Sequence, residues 1–236
     1  MPSLPRFRPR PEFEHPRSKS IFLVKNNEYT MKKVRLFCAI ALSSFLLNCT
    51  KDHLDPSQEQ YQLDEKKSVA VWKGSLRTGY FEEGSIAVTS DVLTVKDGKV
   101  TGGSFTIPVS SIVSTSLPDT LKPVLVHHLQ SADFFNMALH PSITYTITSL
   151  APFAGGEGVT GANYQVDGSL TMLGKTHPVN FPAKIALKDN QLAVEATFKV
   201  DRTQWGMTYS ADPTLPDAQY ILPEIAIHLK LAGNKH

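Results

Sequence analysis

Few residues in this chain could carry covalent or acid–base chemistry, and their spacing narrows what that chemistry could be. His127, His128, His140 and His177 are the first imidazoles to consider for a metal site. Zinc sites usually draw two ligands from a short helical or hairpin spacing and add an acidic or sulfur partner. His127 and His128 are adjacent, so on regular structure they diverge, and His177 sits in a hairpin turn before Pro178. His128 is expected to satisfy local backbone groups, and no metal site is assigned. A Ser-His-Asp hydrolase is disfavoured because the chain has no Gly-x-Ser-x-Gly elbow. Asp201-Arg202 reads as a structural pair at a strand end that holds the Trp205-Gly206 turn, so that breaking it would cost stability and not chemistry. No catalytic residue and no cofactor is assigned. An enzyme acting on an apolar substrate would need a titratable group with a shifted pKa inside the fold, and none stands out.

The sulfur chemistry is different. Lys32, Lys33 and Arg35 precede an apolar run from Leu36 to Leu47 that is well short of the roughly 20 residues needed to span a bilayer. The run ends in Leu46-Leu47-Asn48-Cys49, the pattern of a lipoprotein leader, with an aliphatic residue three before the cysteine whose sulfur is acylated. Asn48 stands where Gly, Ala or Ser is usual. Residues 1–30 are rich in Pro and Arg and show no sustained apolar period, so they read as an upstream extension, with Met31 as the expected start. Residues 31–48 are then the signal peptide, and Cys49 is the expected lipidation site. The expected location is an exported lipoprotein anchored to a membrane, periplasmic or on the cell surface, with the outer membrane favoured.

Removing the leader changes the balance of charge. Nine of the 24 basic residues precede Cys49 but only three of the 22 acidic ones, so the remainder carries 15 against 19, about −4 where the whole chain carries +2. Nothing in that balance argues for nucleic acid as a partner. Both cysteines, Cys38 and Cys49, belong to the leader region, so the body can form no internal disulfide and must be held by a packed core. Residues 49–67 are polar and of mixed charge, and they read as a tether.

The residues from 68 to 233 form one domain, long enough for a sizeable core. Apolar residues alternate in Ile225, Ile227, Leu229 and Leu231, in Leu192, Val194, Ala196, Phe198 and Val200, and in Val179, Phe181, Ala183, Ile185 and Leu187. Each run predicts a half-buried strand. The last two, joined through Lys188-Asp189-Asn190-Gln191, predict a hairpin, and Asp97-Gly98 between Val92–Val95 and Val100–Val109 predicts another. With Val69–Leu76, Gly84–Thr89, Ser142–Leu150 and Tyr164–Met172, about eight or nine strands emerge. Leu117 to Asn136 breaks the rhythm and predicts one or two short helices that cross or cap an end of the sheet. Periodicity alone leaves a sandwich and a closed barrel open.

Five segments in register resemble the YceI-like family. They are Val71-Trp72 through Gly84; Gly102 to Ile112; His128-Leu129-Gln130-Ser131-Ala132-Asp133-Phe134-Phe135 followed by His140 to Tyr145; Val166 to Val179; and Phe198-Lys199-Val200-Asp201-Arg202-Thr203-Gln204-Trp205-Gly206-Met207. The resemblance implies an all-β fold, an extended antiparallel eight-stranded lipocalin-like β-barrel with one or two short helices. It also implies a non-enzymatic role as a binding or carrier protein for an isoprenoid-type or other amphiphilic lipid, such as a quinone or polyprenyl species. The expected partners are that lipid and, through the anchor, a membrane, with a homodimer left open. Phe105, Ile107, Phe134, Phe135, Ile143, Tyr145, Leu170, Met172, Phe181 and Trp205 are the residues expected beside the ligand. The competing reading is a structural or interaction barrel whose core is filled by side chains, and the size of the interior separates the two.

Overall fold

The computed structural model describes residues 57–236. The extension, the leader, Cys49 and the first part of the tether lie outside the described residues. Twelve strands and one α-helix follow in order: β1 (Gln58–Leu63), β2 (Val69–Ser75), β3 (Phe81–Ala87), β4 (Thr89–Lys96), β5 (Lys99–Pro108), β6 (Val113–Ser114), α1 (Lys122–Gln130), β7 (Ser142–Pro152), β8 (Tyr164–Met172), β9 (Lys175–Pro178), β10 (Phe181–Lys188), β11 (Gln191–Asp201) and β12 (Glu224–Lys235).

The strands close into a barrel. β1, β4, β5, β7, β8, β10, β11 and β12 follow one another as antiparallel neighbours, and β1 returns to pair with β12, so these eight strands form a ring. The remaining four extend or branch from it. β2 follows β1 along the same edge of β12, with Tyr61–Leu63 opposite Gly233–Lys235 and Val69–Lys73 opposite Ala226–Lys230. At the break between them Ser68, only 2% exposed, donates from Oγ to the Ala232 carbonyl at 3.0 Å and accepts from the Ala232 amide at 3.2 Å. The serine thereby stands in for the missing rung of the ladder. β3 continues into β4 and pairs with both β2 and β6, and β9 extends the edge of β8.

Two-residue turns set the register. Asp97-Gly98, Leu173-Gly174 and Asp189-Asn190 all have positive φ at both positions, the twist that matches right-handed strands in tight hairpins. The apolar alternation then points inward around the ring, and Leu93, Val95, Ala183, Leu192 and Ala196 are 2% exposed or less. A second cluster of Val109, Ile143, Met172, Val200, Trp205 and Met207 packs apart from the main core.

The expected tether needs correction at its C-terminal end. β1 falls inside residues 49–67, and Tyr61 and Leu63 are buried at 4% and 6% exposure. Two apolar side chains among Gln and Glu are enough here because β4 and β12 flank the strand on both edges. The break at Leu117–Asn136 yields one nine-residue α-helix, α1. Its Val126 and Leu129 pack on the core while Val124 stays 65% exposed.

Candidate functional site

The barrel is hollow. Its interior holds a cavity of about 340 Å³ whose exposed surface is apolar. One water needs only about 10–15 Å³ on the same measure, so this is far more than a packing defect. Opposed strands each supply inward residues, from Ala70 and Trp72 on β2 to Ile227 and Leu229 on β12. The only solvent-exposed wall residues are Tyr80 and Phe81, at 57% and 40%, in the β2–β3 hairpin, which marks that end as the mouth. Leu125 of α1 and Ile221 also belong to the wall.

Nine of the ten residues expected beside a ligand contribute to this wall: Phe105, Ile107, Phe134, Phe135, Ile143, Tyr145, Leu170, Met172 and Phe181. Trp205 does not. A short 3-10 turn, Arg202–Trp205, capped by Asp201 and ended by Gly206 at φ 94, carries the indole into the second cluster. There its Nε1 donates to the Leu170 carbonyl at 3.2 Å and its ring meets His177 edge-on. The sequence motif marked an aromatic that must be buried, and the 3-10 turn sends it into the second cluster instead of the lumen. Conversely, Trp72, Val194, Phe198, Ile225, Ile227, Leu229 and Leu231 line the cavity and were absent from the expected set. The alternation of β11 and β12 already carried that signal.

Several polar groups in or around the wall have identifiable partners. Tyr145 packs over Gly168, where any Cβ would fall 2.3 Å from its ring, and its hydroxyl donates to the Val179 carbonyl at 2.9 Å. Burial, with a smaller push from Asp167, holds its phenol well above the ordinary tyrosine range. Glu82 enters the wall at the mouth, and its carboxylate accepts from the hydroxyls of Tyr80 and Ser116. That bond raises the Tyr80 phenol. Lys73 Nζ sits 3.7 Å from the centre of the Phe81 ring.

Arg202 is 2% exposed and adds to the wall. It is not locked to its neighbour Asp201, whose carboxylate accepts instead from the amide and hydroxyl of Thr203. Its guanidinium donates to the carbonyls of Met207, Tyr209, Ile221 and Leu222, tying the end of β11 to the long connection that leads into β12. Desolvation lowers its pKa, with Asp201 and Tyr220 pulling the other way. His128 likewise differs from its expected role. Its Nε2 meets Asp133 at 3.0 Å and its ring packs edge-on against Phe134 and Tyr209. Among the described residues no three His, Cys, Asp or Glu side chains are grouped to hold a metal ion.

Comparison with known proteins places this geometry. Residues 61–232 match the YceI-like domain. Protein YceI of Escherichia coli is 35% identical over 77 residues, 33% of this chain and 37% of that protein. Protein YceI of Salmonella arizonae is 27% identical over 120 residues, 48% of this chain and 59% of that one. The chain therefore spans about a third of the length of the first of these relatives, and more of the second. Among solved structures, Burkholderia cenocepacia BcnA superposes with a TM-score of 0.54 at 20% identity, covering 72% of this chain and 98% of BcnA. A polyisoprenoid binding domain from Saccharophagus degradans, implicated in plant cell wall breakdown, gives 0.54 at 14% identity, covering 75% and 98%. At these identities the likeness establishes a common fold.

Proposed function

The chain belongs to the YceI-like domain family, and from that premise we propose that its barrel binds one long isoprenoid-type or similar amphiphilic lipid and carries it at a membrane. The observation that carries this reading is the hollow interior, whose exposed surface is apolar. A hydrocarbon chain needs no polar partner along its length, and each buried CH₂ contributes about 0.8 kcal/mol. The cavity also falls in the range of roughly 300–1,000 Å³ usual for small-molecule sites. The polyisoprenoid binding described for the Saccharophagus degradans domain supports the same ligand class here. A barrel acting only as a structural module would fill this space with side chains. No chemical step is assigned, because the buried ionisable groups of the wall, Tyr145 and Arg202, are both engaged with backbone carbonyls. Lipidation at Cys49 and export complete the proposal, placing the barrel where such lipids reside.

The site is tested by blocking it. Ala70 is 6% exposed and faces the lumen, so Ala70→Phe should occlude the cavity. Squalene should bind the parent protein saturably at one molecule per barrel and raise its thermal midpoint. The variant, checked for its fold by circular dichroism, should lose most of that shift. A parent protein that binds no isoprenoid, or a folded variant that binds as well as the parent, would overturn the reading.

A further inference from the structure

The two ends of the barrel differ. β12, twelve residues from Glu224 to Lys235, runs from one to the other. At its C-terminal end Lys235 lies opposite Tyr61, and Gln58, where the chain from Cys49 enters the barrel, lies opposite Lys96 beside the Asp97-Gly98 turn. Near its N-terminal end Ala226 lies opposite Lys73, next to the β2–β3 hairpin that carries Tyr80 and Phe81 at the mouth. The chain therefore enters at one end and the lumen opens at the other. Among the described residues eight large hydrophobic side chains are exposed, and six of them, Tyr80, Phe81, Leu121, Val124, Leu139 and Tyr209, belong to segments at the mouth end. Leu121 and Val124 lie at the start of α1, whose Leu125 lines the cavity. Tyr209 packs its ring on Phe134 of the wall, and Leu139 precedes His140, which sits against Gly174 in the turn after β8. The other two, Val92 and Val113, are on β4 and β6, and none is in the turns where the chain enters.

We propose that this apolar rim docks on a lipid bilayer other than the one that holds Cys49, so that the protein bridges two membranes and exchanges its ligand with the second. The inference rests on the lipid-binding and lipidation readings above and deepens them. Reach is the first argument. Twelve residues at about 3.4 Å each, tilted by about 40°, give the barrel a height of about 30 Å. The nine steps from Cys49 to Gln58 cover at most about 30 Å when drawn straight. The mouth could meet the anchoring bilayer only with that segment pulled straight along the whole outer wall, and every shorter arrangement holds it away. Continuity is the second. Tyr80 and Phe81 belong both to the exposed rim and to the cavity wall, so a bilayer covering the rim gives a hydrocarbon chain a path that never crosses water. Charge is the third. Arg77 meets Asp217 at 3.0 Å, Lys122 meets Asp119 at 2.7 Å and Lys199 meets Glu224 at 2.7 Å. The mouth end thus sets balanced pairs around apolar side chains, and insertion of those side chains, not attraction to anionic lipid, supplies the affinity.

The chain has no cysteine after Cys49, so a single introduced thiol can carry a fluorescent donor, through Thr120→Cys beside the rim or Lys188→Cys at the far end, both exposed positions. The full-length lipidated protein is placed in phosphatidylcholine vesicles and mixed with protein-free phosphatidylcholine vesicles. With an acceptor dye in the anchoring bilayer, the label at 188 should transfer energy more strongly than the label at 120, and with the dye in the added vesicles the order should reverse. The added vesicles should be captured without anionic lipid. Val124 and Leu139 are 65% and 73% exposed and lie outside the cavity wall, so Val124→Asp combined with Leu139→Asp should weaken capture at least about tenfold and leave squalene binding as it was. A label at 120 held against the anchoring bilayer, no capture, or capture unchanged by the two substitutions would overturn the bridging inference alone. So would capture confined to vesicles that also carry the protein, which would make a second copy the occupant of the rim. A full-length protein that does not anchor, or that binds no squalene, would overturn the corresponding reading above and this inference with it.

Discussion

Arg202 shows how one residue can fix a whole end of the barrel. Its buried guanidinium satisfies four carbonyls in the connection from β11 to β12. Lysine keeps the charge but lacks the planar fork of donors. Arg202→Lys should therefore destabilise the fold by about 2–4 kcal/mol, seen as a lower denaturant midpoint. A change within experimental error would contradict the role given to it. Tyr145 makes a pH-dependent prediction. Its folded pKa is raised above the ordinary value of 10.0, so below that value both folded and unfolded chains hold the proton and stability is unaffected. As pH rises past 10, the unfolded chain ionises while the buried phenol does not, and stability declines. Tyr145→Phe should lose that share of the alkaline decline, and parallel stability curves for the two proteins between pH 8 and pH 11 would contradict it. The proposed lipidation makes its own prediction: Cys49→Ser should release the protein from the membrane fraction with its fold intact, and an unchanged distribution would contradict lipidation at that sulfur. At this scale the sequence disclosed which residues are buried better than what they face. Asp201 and Arg202 are adjacent in the chain yet turn to different partners, and Trp205 obeys a 3-10 turn that no period-two pattern announces.

Among the elements, β1 has the largest consequence. It joins β4 to β12 and so turns an open sheet into a ring. A chain lacking residues 1–67 should lose the burial of Tyr61 and Leu63, about 3–6 kcal/mol together, and expose the edges of β4 and β12 to pairing with other chains. A chain lacking only residues 1–57 should retain full stability. Equal denaturant midpoints for the two truncations would show that β1 does not close the barrel. The hairpins were legible because Asp97-Gly98 and Asp189-Asn190 combine turn residues with flanking alternation. β1 was not, because Tyr61 and Leu63 alone mark its inner face, and the partners that make them sufficient lie about 30 and 170 residues away along the chain. The helix was legible as an interruption, while its length depended on packing against the barrel end.

For the whole molecule, the decisive property is that the closed ring is not filled. An eight-stranded barrel has an interior just wide enough for side chains or for one small ligand. Which of these obtains depends on the summed volume of inward residues from every strand, a quantity that no local pattern contains. Closure was illegible for a related reason: alternation shows that a strand has an inner face but not that the first strand meets the last. The family resemblance supplied both expectations. The hollow lumen, open at Tyr80 and Phe81, gives the second its physical content. Native mass spectrometry of the full-length protein purified from membranes, followed by extraction and identification of any released lipid, tests the central claim most directly. The account predicts one copurified isoprenoid-type lipid per barrel, displaced when Ala70→Phe fills the lumen, whereas a parent protein of bare polypeptide mass that also takes up no added isoprenoid would contradict it.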